Sequence, residues 1–474
     1  MKLRRKQSEH LALIRAIRKK LKDLFMNKLS RRAWLKPALI LACASLLTIP
    51  AFAQVQKKVL VVSVTKGFRH DVIPTADKML GELAAKSGKF TVDYVRDDKD
   101  MAEKMTADAL KNYDGVVFNN TTGDLPLPDR DAFLAWIKSG KAFIGLHAAT
   151  DTFPGFPAYT EMIGAHFLGH GAQVEVKVYN QDPFHPATRH LGPCFYVFDE
   201  IYNVKDFHRD TVHGLLTQDK QPNTGVPGDY PIAWCKMYGQ GRVFYTSLGH
   251  RIDVVEKPYY QEHVLNGILW SLGMLPGDAT PQSTAYKVTA DEAQLGFKPL
   301  FNGVDLTGWK LRDANGLASW SAQNGMLVNV IPENQHGTDL VTEAKYKDFI
   351  VRYEYMIPKG ANSGFYLRGR HEIQILDDYP NCTPAITSDG AIYNFKAADK
   401  FASKKPGEWN CVEATMKGNR VTVVLNGVTI HDNVVVDRAT GSELDDKVNE
   451  PGSIFVQGNH GMVGFRNMRI KTLD

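Results

Sequence analysis

The apolar pattern of this 474-residue chain changes character once, near residue 276, and that change constrains the fold more than any single motif. Before it, short β-rich runs alternate with helical spacing. Lys57-Lys58-Val59-Leu60-Val61-Val62-Ser63-Val64 is an apolar run closing in a polar turn, as expected of a parallel strand buried on both faces. Residues 73–87 then repeat apolar side chains at helical spacing, and 90–95, 115–118 and 142–146 read as further strands. Residues 130–139 form an amphipathic helical pattern, 241–246 another strand and 259–272 a closing helix. Strand and helix alternating at this pitch predict a doubly wound α/β sheet, whose ligands bind beyond the carboxyl ends of its strands.

Residues 276–284 collect Pro, Gly, Asp, Thr and Ser, the composition of a linker. Beyond them helical periodicity nearly vanishes. Runs such as 349–355 and 420–425 alternate with Gly-rich turns, and Asn426-Gly427 is a strong hairpin signal. A jelly-roll-like β-sandwich is predicted there. The expected divisions are an export segment over 1–53, an α/β domain over 54–275, a linker over 276–290 and a sandwich over 291–474.

Ser30-Arg31-Arg32-Ala33-Trp34-Leu35-Lys36 is similar to a twin-arginine export motif, followed by an apolar stretch over 37–49 and Ala51-Phe52-Ala53, a small-x-small cleavage site. The stretch is too short for a convincing membrane span. A periplasmic or secreted protein is expected, cut after Ala53 and without stable membrane insertion. The first 25 residues are basic and partly amphipathic, and Met26 would make an ordinary start for such a signal. Residues 1–53 hold 13 of the 57 Lys and Arg but 2 of the 52 Asp and Glu, so the remainder carries 44 basic against 50 acidic side chains. Nothing in that balance favours a nucleic-acid partner. Cys194, Cys235, Cys382 and Cys411 remain, as disulfides or as free thiols; the residues leave the pairing and the oligomeric state open.

In the first domain, His and carboxylate residues follow the expected strand ends. Lys66-Gly67-Phe68-Arg69-His70 follows the first strand and Gly145-Leu146-His147-Ala148-Ala149-Thr150-Asp151 the fourth. His166 and His170 flank Phe167-Leu168-Gly169; Asp199-Glu200-Ile201-Tyr202 and Ser247-Leu248-Gly249-His250 complete the set. Imidazoles from several strand ends can converge as metal ligands or as acid and base. We take His70, His170 and His250 as candidate metal ligands, His147 as a catalytic group, and Asp151 and Glu200 as substrate-binding carboxylates. On a helix, His166 and His170 would share one face. In this order the blocks resemble the ThuA-like (trehalose-utilisation) family, which implies a flavodoxin/amidotransferase-like sheet. The amidotransferase nucleophile would stand after the fourth strand, where this chain has His147 and no cysteine, so a glutaminase acyl-enzyme is not expected. His185-Pro186-Ala187-Thr188 resembles another block of that family, with His185 expected to shape a loop.

In the second domain, Gly296-Phe297-Lys298-Pro299-Leu300-Phe301-Asn302-Gly303 opens a series continued by Asn362-Ser363-Gly364-Phe365-Tyr366-Leu367-Arg368-Gly369, Glu372-Ile373-Gln374-Ile375-Leu376-Asp377 and Gln457-Gly458-Asn459-His460-Gly461. Strand alternation puts Glu372 and Gln374 on one face, beside Arg368 from the preceding strand. Asn362-Ser363-Gly364 fits a tight turn as well as a binding segment. Together the blocks resemble the 3-keto-disaccharide hydrolase family, which implies a concanavalin/jelly-roll-like sandwich acting on 3-oxo-glycosides. Glu372 and His460 become catalytic candidates, and Arg368, Gln374, Tyr393 and Asn362 substrate-binding ones.

The two resemblances agree on oxidised-sugar chemistry. A ketone at carbon 3 acidifies the proton on carbon 2, and its loss allows the glycosidic oxygen to leave carbon 1; a divalent metal ion could stabilise the enolate, and no organic cofactor is needed. The expected function is an exported enzyme cleaving 3-oxo-glycosides by hydrolysis or by elimination and hydration. The alternative is a carbohydrate-binding protein whose lectin-like sandwich stacks sugars on Trp309, Trp320, Tyr366 and Tyr393. A third reading keeps only the α/β domain active.

Overall fold

The computed structural model describes residues 56–380 and 383–473. The expected export segment and cleavage site, and Cys382, lie outside them. Among the described residues no helix is long and apolar enough to cross a membrane.

The first region contains strands β1 (Lys57–Val62), β2 (Phe90–Val95), β3 (Gly115–Asn119), β4 (Ala142–Leu146), β5 (His166–His170), β6 (Val174–Asn180), β7 (Cys194–Asp199), β8 (Tyr202–Lys205), β9 (His213–Lys220), β10 (Pro227–Tyr238) and β11 (Gly241–Thr246). Nine of them form one sheet in the order β2-β1-β3-β4-β11-β10-β9-β6-β7. From β2 to β11 every pairing is parallel; from β11 onward every pairing is antiparallel. The continuous apolar run of β1 has a direct cause. Val59 and Val61 pack into one core cluster with helix Ile73–Ser87 and helix Pro258–Ser271. Leu60 and Val62 pack into the opposite cluster with helices Arg130–Lys138 and Pro157–Ile163. Each such side chain contributes about 1.5–3 kcal/mol by leaving water. The helix from Ile73 stops because Gly88 takes the left-handed conformation (φ 62°) and returns its N–H to Ala84 O.

Order 2-1-3-4 reverses between β1 and β3, so a crevice opens at the carboxyl ends of these strands. Residues 166–170 are not helical. They form β5, paired with β8 and shifted in register between Phe167 and Gly169. The antiparallel half of the sheet is an addition to the doubly wound pattern expected from the sequence.

The second region is all-β apart from the short helix Ala290–Gln294. Its strands are β12 (Lys298–Pro299), β13 (Trp309–Leu311), β14 (Trp320–Gln323), β15 (Met326–Asn329), β16 (Leu340–Tyr346), β17 (Phe349–Met356), β18 (Asn362–Leu367), β19 (His371–Leu376), β20 (Asn410–Lys417), β21 (Arg420–Leu425), β22 (Val428–Val435), β23 (Gly452–Val456) and β24 (Val463–Thr472). One sheet runs β14-β15-β24-β17-β20-β21-β22 with β12 beside β24; the other runs β13-β16-β23-β18-β19. Their inner faces enclose a single apolar cluster that includes Val351, Phe365, Ile375, Val412 and Val456. Trp309 and Trp320 belong to that core. Their indole N–H groups donate to Leu300 O and Thr338 O, so neither ring is free to stack on a sugar. Asn362-Ser363-Gly364, which fitted a tight turn as well as a binding segment, is the start of β18.

The tip of the β9–β10 hairpin joins the two regions. Trp409 Nε1 donates to Asp219 Oδ2 at 2.7 Å, the Arg466 guanidinium lies 4.1 Å over the Trp409 ring, and Lys220 Nζ donates to Gly407 O. Cys194, Cys235 and Cys411 carry free thiols.

Candidate functional site

The crevice at the carboxyl ends of the parallel strands gathers His70 from beyond β1, His147 from beyond β4, Glu200 from beyond β7 and His250 from beyond β11. One ligand atom from each lies within 4.8 Å of the others, the separation a single bound cation requires.

His147 occupies the sharp turn that ends β4, with φ 46°, in the left-handed region that a non-glycine residue rarely adopts. The strain is held by its surroundings: Tyr245 Oη donates to His147 O at 2.7 Å. The ring is fixed as well. His147 Nδ1–H donates to Ser247 O at 2.6 Å, which leaves the Nε2 lone pair facing the centre. His250 Nδ1 lies 3.3 Å from that Nε2 and 3.2 Å from Glu200 Oε1. Tyr202 packs over the His147 ring with centroids 4.3 Å apart.

Asp199 was not among the candidates, yet it organises the centre. Its buried carboxylate accepts from the N–H groups of Glu200 (3.0 Å), Gly249 (2.8 Å) and Arg251 (3.2 Å), tying the residue that carries Glu200 to the loop that carries His250. Its position beside Glu200 in sequence was the one available signal.

The charge states suit a cation. Burial, reinforced by His147 and His250, lowers His70 to about 3, so its imidazole is neutral. Its Nδ1 is buried and without a hydrogen-bond partner. Burial pushes Glu200 upward, but the adjacent His147 and His250 imidazoles outweigh it and hold the carboxylate ionised, while the bond to Glu200 raises His250. Three imidazoles and one carboxylate therefore form a donor set suited to a divalent transition ion.

Two of the expected groups stand aside. His170 is exposed and reaches the other oxygen, Glu200 Oε2, at 3.2 Å, outside the four-residue group. Asp151, raised by burial, faces His166. His185 is buried on a loop, its Nδ1 accepting from Ala187 N.

The sandwich presents a second polar constellation on the outer face of its five-stranded sheet. Tyr366 pairs with Glu372 and with Phe455, so the three side chains share that face. Tyr366 Oη donates to Glu372 Oε2 at 2.6 Å, and its ring stacks on Phe455 at 3.7 Å. Glu372 is 3% exposed, and burial lifts its carboxyl to about 7. Gln374 lies two residues along on the same face, its Oε1 accepting from Ile375 N. Asp339 accepts from Gly458 N and pairs with Arg312 at 3.2 Å. Tyr393 is half-buried, its N–H donating to Glu372 O. His460 is exposed on the loop before β24.

Arg368 departs from expectation. It sits in the β18–β19 turn (φ 55°), not on the strand, and its side chain is fully buried away from solvent. It binds Asp348 at 2.9 Å and the Lys347 and Val448 carbonyls, so it fastens loops and does not line the wall with Glu372. The longer reach of a hairpin turn, invisible to strand alternation, causes the difference.

Residues 58–271 match the ThuA family, described as trehalose utilisation. Residues 296–471 match the family described as the 3-keto-alpha-glucoside-1,2-lyase-like domain. The chain pairs a ThuA-family match with a 3-keto-disaccharide hydrolase-family match. The four-residue centre lies within the first match and the Glu372 constellation within the second. Among solved structures, a ThuA-like protein from Parabacteroides merdae aligns at 21% identity over 48% of this chain and 98% of its own, with a TM-score of 0.40. A provisionally named glycosyl hydrolase from Parabacteroides distasonis aligns at 27% identity over 38% of this chain and 84% of its own, with a TM-score of 0.32. A carbohydrate-binding module from Bacillus subtilis aligns at 12% identity over 35% of this chain and 96% of its own, with a TM-score of 0.24. Among curated proteins, none matches. The coarse class that follows from the hydrolase-domain family is a carbohydrate-active enzyme.

Proposed function

We propose that this chain is an exported enzyme that cleaves 3-oxo-glycosides, with cleavage in the hydrolase domain and a divalent metal ion held in the ThuA domain. The observation that carries the reading is the buried Glu372, bonded to Tyr366 and lifted to about 7, in a region that matches a family described by 3-keto-glucoside lysis.

Lysis of a 3-oxo-glycoside removes the proton on carbon 2, breaks the bond from carbon 1 to the glycosidic oxygen, and gives that oxygen a proton. Addition of water to the resulting double bond completes a net hydrolysis. A carboxyl near 7 is matched to proton transfer at neutral pH. Glu372 supplies that proton, and Tyr366 orients its carboxyl through the 2.6 Å bond to Oε2. His460, exposed on the neighbouring loop, is the candidate base.

In the ThuA domain, His70, His147, His250 and Glu200 would hold the ion, which when bound would act as a Lewis acid on adjacent keto and hydroxyl oxygens of an oxidised sugar. The residues' own part is to keep three imidazoles and an ionised carboxylate oriented by Ser247 O and Asp199.

The lectin-like alternative loses support from the burial of Trp309, Trp320 and Tyr366. The test is incubation of the full chain with 3-oxo-trehalose and a 3-oxo-β-glucoside, with and without chelator, followed by NMR. Formation of 2-hydroxy-3-keto-glucal or 3-keto-glucose supports cleavage. Unchanged substrate under every metal condition sinks it.

A further inference from the structure

The outer face of the β13-β16-β23-β18-β19 sheet carries a pattern that the assignments above do not use. In β18 the side chains of Asn362, Gly364 and Tyr366 alternate onto this face, while Phe365 and Leu367 enter the core. Gln457 N donates to Gly364 O at 2.9 Å, extending the ladder by one residue beyond β23 and placing Gln457 on the same face as Phe455. Along the face the exposure changes in steps. Tyr366 and Glu372 are buried at the floor, Gln457 and Gln374 are nearly so, and Asn362 and Asn459 are half-buried beside exposed His460. The loop that carries Asn459 lies hard against β18: a Cβ on Gly461 would come within 2.6 Å of Asn362 O.

Three side-chain oxygens carried by this face and its loop, Gln457 Oε1, Asn459 Oδ1 and Asn362 Oδ1, are buried and lack any hydrogen-bond partner, as does Asn329 Oδ1, whose amide holds the same loop from the fully buried side. Leaving one such acceptor unpaired costs more than a typical hydrogen bond returns, and three in neighbouring segments call for a common explanation. All three are carboxamides, which can accept from one hydroxyl and donate to the next.

We propose that Gln457, Asn459 and Asn362 form a hydroxyl-binding rim for a pyranose ring seated above Glu372, with their unpaired oxygens accepting from the sugar's hydroxyl groups. The ligand class follows from the chemistry. The acceptors are uncharged, and the nearest cation, the Arg312 guanidinium over Phe455, is already paired with Asp339, so the rim suits a neutral polyol better than an anion. Gly364 is part of the device, since its missing side chain leaves the space that Glu372 Oε1 occupies: a Cβ there would meet that atom at 2.2 Å. The rim deepens the cleavage reading by naming the groups that would hold the ring whose glycosidic oxygen Glu372 protonates, and it rests on that reading for the identity of the reacting sugar.

The test uses the full chain carrying Gln457→Met or Asn459→Leu, each an apolar near-isostere. Thermal unfolding is measured without ligand. Binding of glucose, which lacks the ketone, is followed by NMR titration, and KM for methyl 3-oxo-α-glucoside, the anomer of the family description, is measured alongside kcat. Both variants should melt no lower than the parent, because each removes an unpaired buried polar group. Glucose affinity should fall and KM should rise by about three- to tenfold per variant, with kcat changed far less. A lower melting temperature with unchanged glucose affinity would show that the carboxamides are paired within the protein, and the rim would be discarded. Parent-like KM in both variants, with cleavage intact, overturns the rim and leaves the cleavage reading standing. Weakened glucose binding in both variants, with no cleavage by the parent, supports the rim and removes the cleavage reading.

Discussion

Gly364 stands directly beneath Glu372: a Cβ at Gly364 would lie 2.2 Å from Glu372 Oε1 and 2.9 Å from its carboxyl carbon. The two residues sit on adjacent strands, with Gly364 paired to Gln374 and Tyr366 to Glu372. A glycine in mid-strand gives up side-chain packing and conformational entropy. Here that loss creates the volume in which a buried carboxyl meets the Tyr366 hydroxyl.

Gly364→Ala should therefore expel Glu372 from its position. We expect a stability loss of about 1–3 kcal/mol from overpacking and a fall in turnover of 3-oxo-glycosides, while any metal titration of the His70, His147, Glu200 and His250 group is unchanged. Thermal melts, steady-state assays and metal titration read the three effects separately. Retention of full turnover would show that the carboxyl has no catalytic part.

Glu372 also makes a pH prediction. Its folded value of about 7 exceeds the ordinary 4.5, so the folded state binds more protons than the unfolded state between those limits. Its contribution to stability is then fully present below pH 4.5 and is lost as pH rises through 7, with a span of about 3 kcal/mol. Denaturant unfolding of parent and Glu372→Gln across pH 4–8 should differ in slope, the parent losing stability faster toward pH 7. Parallel curves would contradict the raised value.

Metal binding should depend on the four-residue group and not on His170. We expect His70→Ala to abolish saturable binding of zinc or manganese in calorimetric titration, and His170→Ala to retain it. A ligand present at about 100 times its dissociation constant stabilises the fold by roughly 2.7 kcal/mol, so chelator should lower the melting temperature of the parent. An identical melt with and without added metal would count against the centre.

Asp199→Asn preserves shape but turns one acceptor into a donor facing N–H groups of Gly249, Glu200 or Arg251. Its effect should appear as a metal affinity weakened by about 10–100-fold, the usual consequence of losing a partner that orients ligands. Unaltered affinity would restrict Asp199 to a role in folding.

The hairpin tip gives a test of coupling between the regions. Trp409→Phe removes the indole donor to Asp219 while keeping a ring beneath Arg466. We expect calorimetric unfolding to separate into two transitions in the variant. A single unchanged transition would place the coupling elsewhere.

Much of this was legible in the residues. The run Val59 to Val62 announced a strand covered on both faces because continuous apolar character has no other use in so short a segment, and the helices Ile73–Ser87 and Pro258–Ser271 supply one of the covers. His70, His147 and His250 were legible as a set because parallel strands all deliver their carboxyl ends to one edge. Glu372 and Gln374 were placed on one face by alternation alone. Arg368 was misread because alternation ends where a turn begins. Asp199 and Gly364 gave little signal, since a carboxylate that accepts backbone N–H groups and a glycine that makes room are defined by what lies opposite them.

The sequence by itself determined the two architectures and the side chains able to do chemistry, because periodicity and residue type are local properties of the chain. Only the tertiary structure decided which of those side chains meet. Glu200 joins three histidines from positions 70, 147 and 250, and His170 stays outside, because strand order and the Asp199 bonds set distances that sequence separation does not. The raised carboxyl of Glu372 was likewise a tertiary outcome: its proton affinity follows from the water excluded around it.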